Sequence, residues 1–243
     1  MQSNESDLSS VSNFVVVIPA AGVGKRFGGD IAKQYLEIDG RMILDITLDI
    51  FLSSAYFEKV VLVVSPDDEQ FKHLKAIDSN KLILIDGGEQ RQHSVNNALR
   101  YLYDNGLPDI TPVLVHDAVR PCLSGSDLEK LIQSFHKNKK ACFLAEPVSD
   151  SMKKLNLENK VVENISRDNL VRAQTPQMSQ FLELKNALSK VTKSGIEVTD
   201  EVSALVDCDI EVQAVFSEHP NLKITHPRDL ELAKNILTNQ SRS

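Results

Sequence analysis

The stretch "FVVVIPAAGVGKRFGGDIAKQYL", residues 14–36, begins with five apolar residues and runs into glycines and cations. Phe14 to Ile18 shows no polar alternation, the pattern of a strand covered on both faces, as in the parallel sheets of α/β proteins. The loop behind it carries Gly22, Gly24, the pair Gly28 and Gly29, and three cations, Lys25, Arg26 and Lys33. In α/β sheets ligands gather beyond the carboxyl ends of the strands, so the position of this loop matters as much as its composition. Its glycines do not make a dinucleotide fingerprint, because Phe27 stands where the third glycine belongs, and no Gly-Lys-Ser/Thr closes a Walker A loop. What remains is a turn whose amides can approach an anion closely and whose cations can neutralise several phosphate charges.

Further short apolar runs follow at 60–65, 82–86, 112–117 and 141–148, with helical patterns between them at 42–54, 67–77, 91–104 and 126–138. In the third of these helices Val95, Ala98, Leu99 and Leu102 share a face. This alternation predicts a parallel sheet with helices on both sides. It breaks at "SDSMKKLNLENKVVENISRD", residues 149–168, whose short alternation around an Asn-rich turn predicts a hairpin excursion. Beyond it, 178–195 reads as a helix stopped by Gly195, 197–207 starts another, "EVQAVFS" and "NLKIT" read as short strands, and 226–237 closes the chain as a helix with Pro227 near its first turn. The whole reads as one domain with an arm.

A chain of 243 residues with 42% hydrophobic residues and net charge −7 reads as an ordinary soluble globular protein, which gives little electrostatic support to general nucleic-acid or membrane-surface binding. Any anion site is therefore local. Cys122, Cys142 and Cys208 form no CxxC pair and leave one over, which fits core residues in a reduced compartment. No apolar run approaches a membrane span, and the polar start "MQSNESDLSSVSN" is unlike a signal peptide and reads as a disordered tail.

Three later loops hold polar residues. In "GGEQRQHS", 87–94, Gly87 and Gly88 precede a helix whose first turn holds Arg91 and Ser94, a start suited to an anion or to the edge of a base, and equally a capped tight turn. "VHDAVRPCL", 115–123, ends a strand with Asp117, suited to a metal ion or a substrate hydroxyl, and Arg120, suited to a phosphate; a local ion pair is the plainer alternative. Thr199 in "EVTDE" reads most simply as a helix cap, and Lys223, between Leu222 and Ile224, as a strand residue pointing away from both and into a cleft. The six histidines show neither metal-ligand spacing nor a nucleophile triad, and read as surface or capping residues.

Taken in order, "PAAGVGKRF", "AKQYL", "GGEQRQHS", "VHDAVRP", "SMKK", "RDNLVRAQTPQ", "TDE" and "LKIT" followed by "PRDL" resemble the 2-C-methyl-D-erythritol 4-phosphate cytidylyltransferase family from about Phe14 to Leu237. The resemblance implies a Rossmann-like nucleotidyltransferase fold of the α/β class, with a mostly parallel central sheet and a protruding β-arm. It implies a single domain over 13–238, an arm at approximately 147–169 that interlocks a homodimer, and tails at 1–12 and 239–243. The implied reaction moves CMP from CTP to 2-C-methyl-D-erythritol 4-phosphate with release of pyrophosphate, in the non-mevalonate isoprenoid pathway, aided by Mg²⁺ or another divalent cation in the cytoplasm. Neither nucleic acid nor membrane is an expected partner.

Residue by residue, the resemblance places CTP against Ala20, Ala21, Gly22, Gly24, Lys25, Arg26, Lys33, Gly88, Glu89, Arg91 and Ser94. It places the alcohol phosphate against Asp117, Ala118, Arg120, Thr199 and Lys223, joined by Ser151, Arg167 and Thr175 from the partner's arm. Arg26, Lys33 and Lys223 are the implied catalytic cations, and Asp117 the implied metal ligand. Ala32, Glu89, Val119 and Ser151 depart from the family's usual proline, aspartate, alanine and threonine, without loss of a needed charge or hydroxyl. A phosphate monoester needs no general base to attack phosphorus, which agrees with loops rich in Lys, Arg, Asp and Thr. Three alternatives stand beside this reading: transfer to another polyol phosphate such as ribitol 5-phosphate, a non-catalytic CTP-binding module, and a NAD-dependent dehydrogenase, which the glycine spacing disfavours.

Overall fold

Strand β1, Phe14–Pro19, is an interior strand of a seven-stranded sheet in a computed structural model that describes residues 13–22 and 32–241. Its residues alternate between two buried clusters, with Phe14, Val16 and Ile18 in one and Val15 and Val17 in the other. Because both faces are covered, the run is apolar throughout, as the sequence predicts.

The elements follow in the order β2 (Glu37–Ile38), β3 (Arg41–Met42), α1 (Ile43–Leu52), β4 (Phe57–Val64), β5 (Leu82–Asp86), α2 (Arg91–Asp104), β6 (Pro112–Val115), α3 (Gly125–Asn138) and β7 (Ala141–Pro147). After these come β8 (Met152–Leu155), β9 (Val161–Ile165), β10 (Val171–Gln180), α4 (Phe181–Lys193), α5 (Glu201–Val206), β11 (Val212–Phe216) and α6 (Asp229–Gln240). The central sheet has the order β11-β7-β10-β6-β1-β4-β5. β1 pairs parallel with β4 and β6, β4 with β5, and β11 with β7, while β10 is antiparallel to both its neighbours. The fold is thus α/β with a mostly parallel sheet, as expected. Its single reversed strand was not legible, because the apolar signal of β10 is diluted by "QTPQ".

Local chemistry accounts for the helices. α3 starts where the Ser124 hydroxyl accepts from Asp127 N–H at 3.1 Å, buries Leu128, Leu131, Ile132 and Phe135, and stops at Lys139 in the left-handed region. α2 buries the predicted Val95, Ala98, Leu99 and Leu102 against β1 and β4. α4 ends before Gly195, whose φ of +67° is easiest for glycine.

Four expectations need correction. The helical pattern at 67–77 yields only a 3₁₀ turn, Gln70–His73, because three acidic residues and a proline crowd its start and little of it is buried. "NLKIT" is extended but not a strand; one of its links to the fold is Ile224 N–H donating to Val119 C=O at 2.9 Å. Asp200, not Thr199, caps α5, accepting from Ser203 N–H at 2.9 Å. Finally, α6 continues to Gln240, so residues 239 and 240 belong to a helix and not to a tail. The hairpin expectation holds: β8 and β9 pair antiparallel, and every residue from Ser151 to Asn169 is exposed. Cys122 and Cys142 are buried and Cys208 is half-buried. Among the described residues, no helix is long and apolar enough to cross a membrane.

Candidate active site

The ends of β1 and β6, the loop before α2 and the extended segment around Lys223 border one cleft of about 170 Å³. Ala20, Ala21, Gly22, Lys33, Gly88, Glu89, Arg91, Ser94, Asp117, Ala118 and Lys223, all predicted, line it together. Gly24, Lys25 and Arg26 lie outside the described residues. Arg120 is one residue beyond the lining set, facing a second hollow, and Thr199 does not line the cleft. Ser151 and Arg167 sit on the exposed arm, where the Arg167 guanidinium donates to Ser149 C=O.

Two glycines at the cleft are dictated by close approach. A Cβ on Gly87 would lie 2.4 Å from Ala21 Cβ, and one on Gly88 would lie 2.5 Å from His93 Cβ. Gly87 N–H donates to Val64 C=O at 2.7 Å and Gly88 N–H to the Ser94 hydroxyl at 3.1 Å, so the loop is pinned to β4 and to α2. Across the cleft, the Gln34 amide donates to Ala20 C=O at 2.7 Å and to Gly22 C=O at 3.3 Å. Gln34 therefore ties the turn bearing Lys33 to the glycine loop. Sequence reasoning passed over it, although it stands inside the quoted "AKQYL".

Asp117 is the electrostatic centre. Its Oδ1 accepts from Arg91 Nε at 3.1 Å, and its Oδ2 lies 2.8 Å from Lys223 Nζ and 3.5 Å from Arg120 Nε. Burial pushes this carboxyl upward, yet Arg91, Lys223 and Arg120 outweigh burial and hold it well below the usual carboxylate range. Arg91 also forks onto Glu201, with Nη1 to Oε1 at 2.7 Å and Nη2 to Oε2 at 3.0 Å. Arg120 Nη1 donates to Asn221 C=O at 2.7 Å, which fixes the chain just before Lys223.

Beneath Asp117 lies a polar layer that was not anticipated. His116 is fully buried rather than superficial, and burial pushes its imidazole down to about 4. Its Nε2 is 3.1 Å from Arg120 C=O and its Nδ1 is 3.2 Å from the Thr175 hydroxyl. Thr175 is itself only 4% exposed and lies in β10, so its hydroxyl braces the site of its own chain and does not reach out with the arm. A lone histidine in an apolar run carries no signal in sequence for this role; only the pairing of β10 beside β6 supplies it.

The donor set does not fit a resident metal. Both oxygens of Asp117 face cations, and among the described residues no group of three or more His, Cys, Asp or Glu side chains converges. The two buried thiols are not activated nucleophiles, since burial pushes Cys122 and Cys142 up to about 12. What the cleft offers is a cluster of cations around one carboxylate, a setting for binding and polarising phosphate groups.

The family profile described as 2-C-methyl-D-erythritol 4-phosphate cytidylyltransferase matches residues 14–239. The chain belongs to this family. Among similar proteins, the family's enzyme from Buchnera aphidicola is 41% identical over 226 residues, 93% of each chain. That from Actinobacillus pleuropneumoniae is 41% identical over 224 residues, covering 92% of this chain and 96% of its own. The crystal structure of the Francisella tularensis enzyme superposes with a TM-score of 0.82 at 34% identity, covering 93% of this chain and all of that one. As a family member, the chain has a Rossmann-like nucleotidyltransferase fold.

Proposed function

We infer that this chain is a CTP-dependent nucleotidyltransferase that moves CMP to 2-C-methyl-D-erythritol 4-phosphate, releasing pyrophosphate, as its family does. The observation that carries the reading to particular residues is the convergence of Lys33, Lys223 and Asp117 with Ala20, Ala21, Gly22, Gly88, Glu89 and Ser94 on one cleft.

In this reading Ala20, Ala21, Gly22, Gly88, Glu89 and Ser94 hold the cytidine. Gly24, Lys25 and Arg26 meet the triphosphate. Mg²⁺, or another divalent cation, would accompany CTP as its counter-ion, since among the described residues no cluster of carboxylates forms a cage for it. The acceptor's phosphate oxygen attacks the α-phosphorus, a new P–O bond forms, and the bond to the β-phosphate oxygen breaks as pyrophosphate leaves. The nucleophile is already largely a dianion at neutral pH, so no proton has to move. Lys33 and Lys223 flank the reacting phosphorus and stabilise the charge that develops there. Asp117 holds Lys223 and Arg120 in place for this, and Ala118, Arg120, Thr199 and Lys223 receive the acceptor.

The arm supports a dimer. Met152, Leu155, Leu157, Val161, Val162 and Ile165 are large apolar side chains in the open, and a two-stranded hairpin alone is marginal in water. A second copy of the chain would bury them and bring Ser151 and Arg167 to its neighbour's cleft. On this reading the chain is one domain with an arm, working as a cytoplasmic homodimer without nucleic-acid or membrane partners.

The deciding experiment is pyrophosphate release from CTP and Mg²⁺ with 2-C-methyl-D-erythritol 4-phosphate, beside ribitol 5-phosphate and a control without acceptor. Release with the first alone is expected. Release with ribitol 5-phosphate alone would overturn the acceptor and leave the chemistry, and no release with either would overturn the enzyme.

A further inference from the structure

Three consecutive residues at the start of α2 each hold the segment that carries Thr199. The Gln90 amide donates to Glu197 Oε1 at 2.8 Å, the Arg91 fork grips Glu201, and Gln92 Oε1 accepts from Val198 N–H at 2.9 Å. From the other side Gln177 of β10 accepts from Val202 N–H at 2.8 Å and donates to Asp200 Oδ2 at 3.0 Å. Residues 197–202 thus lie in a clamp whose centre is Arg91, and Glu201, its main partner, is only 1% exposed.

Arg91 lines the cleft, which made it an expected CTP ligand. Its guanidinium is nevertheless directed at carboxylates: Nη1 and Nη2 at Glu201, Nε at Asp117. A planar fork with its donors fixed in this way is poorly placed for a phosphate; burial opposes its charge, and the two carboxylates more than offset burial.

We propose that Arg91 is a positioning residue for the acceptor half of the site: with Gln90 and Gln92 it fixes the Thr199 segment and Asp117 in mutual register, and it makes no contact with CTP. The inference rests on the reading of the cleft as a cytidylyltransferase site. It changes what Arg91 does, because loss of the fork would displace the groups that receive the alcohol phosphate while leaving the base loop, pinned through Gly87, Gly88 and Ser94, as it is.

The test compares the wild type with Arg91→Lys and Gln92→Leu in the full-length protein. The acceptor is whichever of 2-C-methyl-D-erythritol 4-phosphate and ribitol 5-phosphate the wild type uses, so a wrong acceptor assignment is seen separately in the wild type. CTP affinity is read by calorimetry with Mg²⁺, and KM and kcat for the acceptor by pyrophosphate release. Arg91→Lys keeps the charge but not the fork; the acceptor KM is expected to rise about tenfold, with CTP affinity within about twofold of the wild type. Gln92→Leu, which frees only Val198 N–H, is expected to move the acceptor KM in the same direction by less. Weaker CTP binding in Arg91→Lys would overturn the proposal, as would unchanged acceptor kinetics in either folded variant. A purely structural role would lower the melting temperature and leave these ratios alone. Should Arg91→Lys fail to fold, Gln92→Leu decides by the same criteria.

Discussion

The Thr175 hydroxyl accepts a hydrogen bond from the backbone N–H of Asp117 at 3.0 Å, tying the reversed strand β10 to the residue around which the site's cations gather. Both residues are buried, so this bond has no water to replace it. Thr175→Val keeps the shape and removes the hydroxyl, leaving the buried Asp117 amide unsatisfied and His116 Nδ1 without this partner, at a cost of about 1–3 kcal/mol or more. We expect urea denaturation to show that loss and kcat to fall with it, whereas Thr175→Ser should restore most of both. A Val variant as stable and active as the wild type would show that the bond does not matter.

Lys223 sits 2.8 Å from Asp117 with its side chain 43% exposed, so one side of the ammonium is held and the other is open to the cleft. If it stabilises charge at the reacting phosphorus, Lys223→Ala should lower kcat about a hundredfold or more, equivalent to roughly 3 kcal/mol of barrier, with little change in CTP affinity. Lys33→Ala should lower kcat by a similar factor, with weaker CTP binding besides, because Lys33 belongs to the CTP set as well. Near-normal turnover in either folded variant would remove that lysine from the mechanism.

His116 makes stability depend on pH. Burial lowers its pKa from 6.5 to about 4, so between these values the unfolded chain binds a proton that the folded chain refuses. Stability from this source is complete above about pH 6.5 and is lost as pH falls toward 4, by about 3 kcal/mol in all. His136, also lowered by burial, acts in the same direction. Asp117, held below its usual range, adds its own loss only under pH 3.8. Denaturation between pH 7.5 and 4.5 should show this slope, and His116→Asn, less stable overall, should show a flatter one. An unchanged slope in the variant would assign it elsewhere.

These relationships explain what could be read from sequence. The sheet was legible because β1, β4 and β6 are apolar on both faces, and the cleft because its residues stand in loops directly after those strands. β10 was not, since its polar residues Gln174, Thr175, Gln177 and Ser179 are buried by hydrogen bonding and not by hydrophobicity. For the same reason His116, Gln34, Gln92 and Glu201 carried no signal: each acts through a partner distant in sequence, Glu201 through Arg91 at a separation of 110 residues. Lys223 was found for the wrong reason, as a strand residue, when its placement comes from Arg120 holding Asn221.

The arm offers the sharpest test of assembly. Its hairpin buries nothing of its own, and Leu157 at its tip is fully exposed, so its removal should leave the central sheet and its helices folded. Replacing residues 150–168 with a short Gly-Ser linker should turn a dimer into monomers by light scattering, with a melting transition still cooperative. If Ser151 and Arg167 serve the neighbouring cleft, the monomers should bind CTP normally and yet fail to transfer CMP, because only the acceptor half of the site draws on the partner. Active monomers would show that each chain completes its own site, and a dimer surviving the deletion would place the interface elsewhere on the molecule.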